Sequence, residues 1–92
     1  MPWTVQQTSH YQKQFRKTDL PTAEQNKIDD WINNIVNSNN GPIVAAESLH
    51  YKINKLKGTA NQWELYIGAK NRVSFTYDAE AEQVTLESLG HT

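Results

Sequence analysis

The sequence predicts a small α+β domain: an N-terminal strand, a two-helix hairpin, then an antiparallel meander of three to four strands with the helices on one face. Two patterns predict it. Ile28, Trp31, Ile32, Ile35 and Val36 recur at i, i+3, i+4, i+7 and i+8, the apolar stripe of an amphipathic helix. Further along, Trp63, Leu65 and Ile67, then Val73, Phe75 and Tyr77, then Val84 and Leu86 fall on every second residue, the period of strands with one buried face. A stripe and a half-apolar sheet must each bury their apolar side, so the helices are expected to cover one face of the sheet and leave the other bare.

The elements follow in order. Trp3, Val5 and Gln7 alternate with Thr4, Gln6 and Thr8 as a short first strand. Ser9-His10-Tyr11-Gln12 reads as a capping box opening a brief helix, with Tyr11 and Phe15 one turn apart on its buried side. Asp19-Leu20-Pro21 ends it. Thr22-Ala23-Glu24-Gln25 reads as a second capping box, and Asn39-Asn40-Gly41-Pro42 stops the helix behind it. Ile43 to Leu49 reads as a loop or short turn. Tyr51 and Ile53 begin the strands, and the stretches from Gly68 to Asn71 and from Asp78 to Glu82 read as turns between them. Parity then assigns Trp63, Leu65, Ile67, Val73, Phe75, Tyr77, Val84 and Leu86 to the helix side. Glu64, Tyr66, Arg72, Ser74, Thr76, Thr85 and Glu87 go to the bare side, with His91 following in the same phase. Trp3, Trp31 and Trp63 are assigned to the core.

At 92 residues the chain is expected to be one domain, 1–92. It has no cysteine, which excludes disulfides and thiolate metal sites. No apolar run is long enough to span a bilayer, and Met1-Pro2-Trp3-Thr4 lacks the basic and apolar regions of a secretory signal. A cytoplasmic protein without membrane contact is expected. The net charge of −1 and pI near 6.3 argue against a strongly basic nucleic-acid binder. Charge is unevenly spread, however: from His50 to Arg72 lie Lys52, Lys55, Lys57, Lys70 and Arg72, with Glu64 the one acid.

No phosphate-cradling glycine loop, metal-ligand spacing or nucleophile elbow is present. Chemistry without a cofactor or metal must then come from side chains scattered over a surface. RNA cleavage fits that limit, because the 2′-hydroxyl of the substrate attacks its own phosphate. The protein supplies a proton acceptor, a cation for the phosphorane and an acid for the leaving oxygen. Arg72 suits the cation, its fork matching phosphate oxygens; a solvated strand-end charge, or a pair with Glu64 or Glu87, accounts for it equally well. His91 suits proton transfer at neutral pH, against the plainer reading of a penultimate residue at a frayed end. Glu47 and His50 fit an acceptor and its orienter. Lys52, Lys55 and Lys57 fit phosphate contacts, or an edge strand protected by lysines. Tyr66 can stack a base or shield the sheet.

Four runs, Lys55-Leu56-Lys57-Gly58, Trp63-Glu64-Leu65-Tyr66-Ile67-Gly68, Asn71-Arg72-Val73-Ser74-Phe75-Thr76-Tyr77 and Glu87-Ser88-Leu89-Gly90-His91, resemble in their order the RelE/ParE toxin superfamily. The resemblance implies a toxin of a type II toxin–antitoxin system, with a ribosome-dependent mRNA endoribonuclease activity that inhibits translation. Its implied partners are a cognate antitoxin, the ribosome and mRNA. Arg72 matches the strand arginine used on the scissile phosphate, His91 the C-terminal histidine of YoeB- and YafQ-like members, and Glu47 lies near the general base of the YoeB-like branch. Where RelE carries lysines on the first central strand, this chain has Glu64 and Tyr66. The alternatives are a ParE-like toxin that binds gyrase without cutting RNA, and a non-catalytic member acting through protein binding.

Overall fold

The computed structural model describes residues 2–56 and 62–91, with only the backbone of His91. In chain order the elements are β1 (Thr4–Gln7), α1 (Ser9–Lys17), α2 (Thr22–Asn37), α3 (Pro42–Ser48), β2 (Ile53–Lys55), β3 (Gln62–Tyr66), β4 (Asn71–Asp78) and β5 (Gln83–His91). The strands form one five-stranded sheet in the order β1-β5-β4-β3-β2. The meander from β2 to β5 is antiparallel, as the alternation predicts. The first strand departs from that pattern: β1 runs parallel to β5, with Val5 opposite Val84, so the sheet is mixed. A parallel pair needs a long crossover, and the helices between β1 and the meander supply it.

The helix-facing side of the sheet is the side predicted. Leu65, Ile67, Val73, Phe75, Val84 and Leu86 are buried against Ile28, Trp31 and Ile35 of α2 and Tyr11 of α1. Trp31 lies over Phe75 with ring centroids 4.9 Å apart, and its indole N–H donates to the Pro42 carbonyl at 3.0 Å. That bond satisfies the one polar atom of a wholly buried side chain. Trp3 and Trp63 are only partly buried, lying on either side of Tyr77 at the margin of the core. No helix of the described residues is long and apolar enough to cross a membrane.

Three local readings change. Thr8, not Ser9, caps α1: its Oγ1 accepts from the Tyr11 N–H at 3.0 Å. The second capping box is absent, because the helix already begins at Thr22, with Pro21 before it, and Gln25 Nε2 donates to the Leu20 carbonyl at 2.9 Å instead. Residues from Pro42 form a helix, α3, where a loop was expected. Seven residues are too few to display a helical period, but Pro at the first turn is a helix-start signal, and the small Ala45 and Ala46 let α3 sit close on α2.

The fourth change decides the phase of the last strand. Ser74 pairs with Ser88 while Phe75 pairs with Leu86, so Glu87 is an extra residue, a β-bulge. Beyond it, Leu89 turns into the core, 2% exposed, opposite Val73. Side chains near the start of the chain stabilise this break. Thr8 Oγ1 donates to the Glu87 carbonyl at 3.0 Å, and Gln14 Oε1 accepts from the Leu89 N–H at 2.7 Å. Backbone groups left out of the ladder thus find partners from the α1 segment.

Tyr11 carries a titration consequence. Burial first, then the nearby Asp29 carboxylate, push its phenol from the usual 10.0 up to about 12. An acid whose folded value is raised contributes stability that is whole below its unfolded value and is lost as pH rises through the folded value. Chemical unfolding followed from pH 9 to pH 12 is therefore expected to show stability falling between about 10 and 12. In Tyr11→Phe the fall should be shallower; an equally steep fall would remove Tyr11 as its source.

Candidate functional site

Opposite the helical layer, the sheet presents a polar face built by strand alternation. Tyr66 and Glu64 come from β3, Arg72, Ser74 and Thr76 from β4, and the register sets Tyr66 beside Arg72 and Glu64 beside Ser74. Along β4, buried and half-buried residues alternate, the buried ones pointing to the core. From β5, Glu87 Oε2 accepts from Thr76 Oγ1 at 3.0 Å.

Arg72 sits at the centre of the charged part. Its guanidinium carbon lies 4.6 Å from the Tyr66 ring centroid, and the Lys52 ammonium lies 4.9 Å from the same ring. Strand pairing explains the arrangement, because Tyr66 pairs with Arg72 on one side and donates its N–H to the Lys52 carbonyl at 2.9 Å on the other. Two cations are thus gathered around one aromatic ring on a surface that solvent reaches. Arg72 Nη1 also contacts Glu64 Oε1 at 3.4 Å, with the two side chains 27% and 16% exposed. That separation is longer than the roughly 2.7–2.9 Å of a tight charge-assisted bond. The residue paired with Arg72 across β5 is Gly90, and a Cβ there would meet nothing within 4 Å.

The predicted site residues divide accordingly. Arg72, Tyr66 and Lys52 share the polar face. Lys55 pairs with Trp63, which puts it in the opposite phase from Lys52, so the two lysines do not form one patch. Lys57 lies outside the described residues. Glu47 is exposed on α3, a helix that packs on α2, and its link to His50 is a backbone bond from the His50 N–H to the Glu47 carbonyl at 3.1 Å. His91 pairs with Asn71, one step beyond the Arg72–Gly90 pair. The phase count that set His91 on the face of Arg72 ran straight through Glu87, and the bulge breaks it; the His91 side chain lies outside the description.

The turn that delivers Arg72 is tied to the helices. Glu24, in the first turn of α2, accepts from Asn71 Nδ2 at 2.7 Å through Oε1. A Cβ at Gly68 would come within 2.5 Å of Glu24 Oε2, so the carboxylate at the end of this flexible side chain would have to shift. Gly68→Ala would move Glu24 aside and weaken its bond to Asn71, an expected loss of about 0.5–1.5 kcal/mol. Thermal unfolding checks this, and Gly68→Ala at wild-type stability would show that the clamp is unimportant.

A second concavity, of about 410 Å³, lies between α1 and α2 on the helical side, lined in part by Tyr11, Phe15, Ile28 and Ile32 with Arg16 and Asp29 beside them. Among the described residues, no three His, Asp or Glu side chains gather as metal ligands would.

No protein-family model matches the sequence, and no curated protein matches it. Solved structures do. A RelB–RelE antitoxin–toxin complex from Methanococcus jannaschii matches with a TM-score of 0.72 at 17% identity, over 95% of this chain and 89% of that one. The E. coli DinJ–YafQ toxin–antitoxin complex matches with a TM-score of 0.67 at 14% identity, over 99% and 93%. A YoeB/ParE toxin from Agrobacterium tumefaciens matches with a TM-score of 0.63 at 18% identity, over 97% and 98%. The chain has the RelE-like toxin fold.

Within this RelE-like fold, sequence reasoning named Arg72, Tyr66 and Lys52 but not their relation. Glu64 entered it only as a partner that would explain Arg72 away. The missing signal was the pairing register, since Tyr66 and Arg72 are six positions apart in sequence yet neighbours across a turn. Gly90 was legible only as part of a motif, and its place opposite Arg72 depends on the bulge.

Proposed function

We propose that this RelE-like chain is the toxin of a type II toxin–antitoxin pair, and that it arrests translation by cutting mRNA on the ribosome. The observation that carries the reading is the set of Arg72, Tyr66 and Lys52 stacked on the polar sheet face. A guanidinium offers a phosphate paired N–H donors and stabilises charge growing on a phosphorane. An aromatic ring beside phosphate-binding cations is a side chain on which an unstacked base can stack. RNA brings its own nucleophile, so the face needs no metal. Several of the matched structures are toxin–antitoxin complexes, which supports a proteinaceous antitoxin as partner.

Adding the purified protein to a translating extract and mapping mRNA ends by primer extension tests this. Cuts within translated codons that vanish when ribosomes are omitted are the expected result. Intact mRNA together with inhibited gyrase supercoiling would overturn it in favour of a ParE-like activity. Intact mRNA with no growth arrest on expression would overturn both toxin readings.

A further inference from the structure

We infer that Glu64 is the general base of this site, the group that takes the proton from the attacking 2′-hydroxyl. The inference rests on the ribonuclease reading above and adds a catalytic residue to it. The resemblance pointed to Glu47 for this role, but Glu47 stands on α3, against the helical layer. Glu64 is the carboxylate that the sheet brings to Arg72: its Oε1 is 3.4 Å from Nη1.

Three features fit the role. First, a phosphate seated on the Arg72 guanidinium carries its neighbouring 2′-oxygen only a few bonds away. A carboxylate already in contact with that guanidinium then stands beside the sugar, where proton transfer needs a reach of roughly 2.6–3.2 Å. Second, the Glu64–Arg72 contact is long at 3.4 Å, so a substrate phosphate can compete with the carboxylate for the guanidinium and leave the carboxylate facing the sugar. Third, the residues beside Glu64 in the sheet are polar and uncharged. Ser74 of β4 and Asn54 of β2 pair with it on either side; among the described residues Arg72 of β4 is the charged group in contact with it, and Lys52 lies over the neighbouring Tyr66 ring. The other acid of this face, Glu87, accepts instead from Thr76 at 3.0 Å, next to the bulge.

The step balances without a co-reactant. The 2′-O–H bond breaks and its proton moves to the Glu64 carboxylate as the 2′-oxygen bonds to phosphorus. The P–O5′ bond then breaks, and the leaving oxygen takes a proton from water. The products are a 2′,3′-cyclic phosphate and a 5′-hydroxyl, and Glu64 gives its proton back to solvent.

The test is single-turnover cleavage of a 5′-labelled mRNA on stalled ribosomes, followed across pH for wild type, Glu64→Gln, Glu64→Asp, Arg72→Ala and Glu47→Gln, with thermal melts as folding controls. Gln keeps the shape but cannot take the proton, so the cleavage rate should fall about 10²–10⁴-fold with half-saturating ribosome concentration unchanged. A base must be ionised to act, so the rise in rate with pH expected of wild type should be absent in Glu64→Gln. Glu64→Asp, which keeps the carboxylate, should retain that rise at a lower rate, and it also serves if Glu64→Gln fails to fold. A Glu64→Gln rate within about threefold of wild type, with its pH rise intact, overturns the inference. So does a pH rise that survives in Glu64→Gln and disappears in Glu47→Gln, which transfers the base to Glu47. If wild type cuts, Arg72→Ala does not and Glu64→Gln cuts normally, the inference alone falls. If wild type makes no cuts, the ribonuclease reading falls with it.

Discussion

Arg72→Ala is expected to lose translational arrest, with mRNA cleavage on ribosomes falling about 10²–10³-fold, the scale seen when one preorganised donor to a developing oxyanion is removed. The loss should be chemical and not structural. Arg72 is 27% exposed, and its contacts include a long one to Glu64 and the face of the Tyr66 ring. Surface ion pairs of this kind contribute about 0–1 kcal/mol to folding. The variant should therefore melt close to wild type while failing to arrest growth when expressed. Arg72→Lys separates charge from shape: an ammonium keeps the cation but not the two-pronged fork, so an intermediate rate is expected. Full growth arrest by Arg72→Ala would remove the guanidinium from the mechanism.

Trp31→Ala should have the opposite profile, a large loss of stability with no specific effect on chemistry. Trp31 is 0% exposed, its ring lies 4.9 Å from Phe75, and its N–H meets Pro42, so one side chain joins α2 to both the sheet and α3. Truncating a buried Trp typically costs about 3–5 kcal/mol. Small domains have only about 5–15 kcal/mol in all, so most of the margin would go. Denaturant titration should show a large fall in midpoint, and Trp31→Phe, which keeps the ring contact and loses the bond to Pro42, a smaller one. An unchanged midpoint in Trp31→Ala would show that the core does not depend on this contact.

The two variants probe faces that were legible to different degrees. The core was almost wholly readable, because Ile28, Trp31 and Ile35 repeat with the helical period and Leu65, Val73, Phe75 and Val84 with that of the strand. The polar face was readable as a list of residues, and Arg72 and Tyr66 were on it. Their juxtaposition was not, since a list carries no register. Helix α3 escaped notice because its buried residues are mainly Ala and Pro, which announce little by hydrophobicity. Glu24 drew attention as a helix-start residue, yet its contact is with Asn71, forty-seven positions away.

By itself the sequence determined which side of each central strand is buried, where α2 runs, and that any chemistry must come from side chains on an open sheet face. Those properties depend on short-range periodicity, which is written in neighbouring residues. Only the tertiary structure decided that β1 lies parallel to β5, that Glu87 is bulged, and that Glu64 stands beside Arg72. Each of these depends on contacts between distant segments. Thr8 and Gln14 stabilise the bulge from more than seventy positions away, and moving one strand residue out of register changes the face of every residue after it.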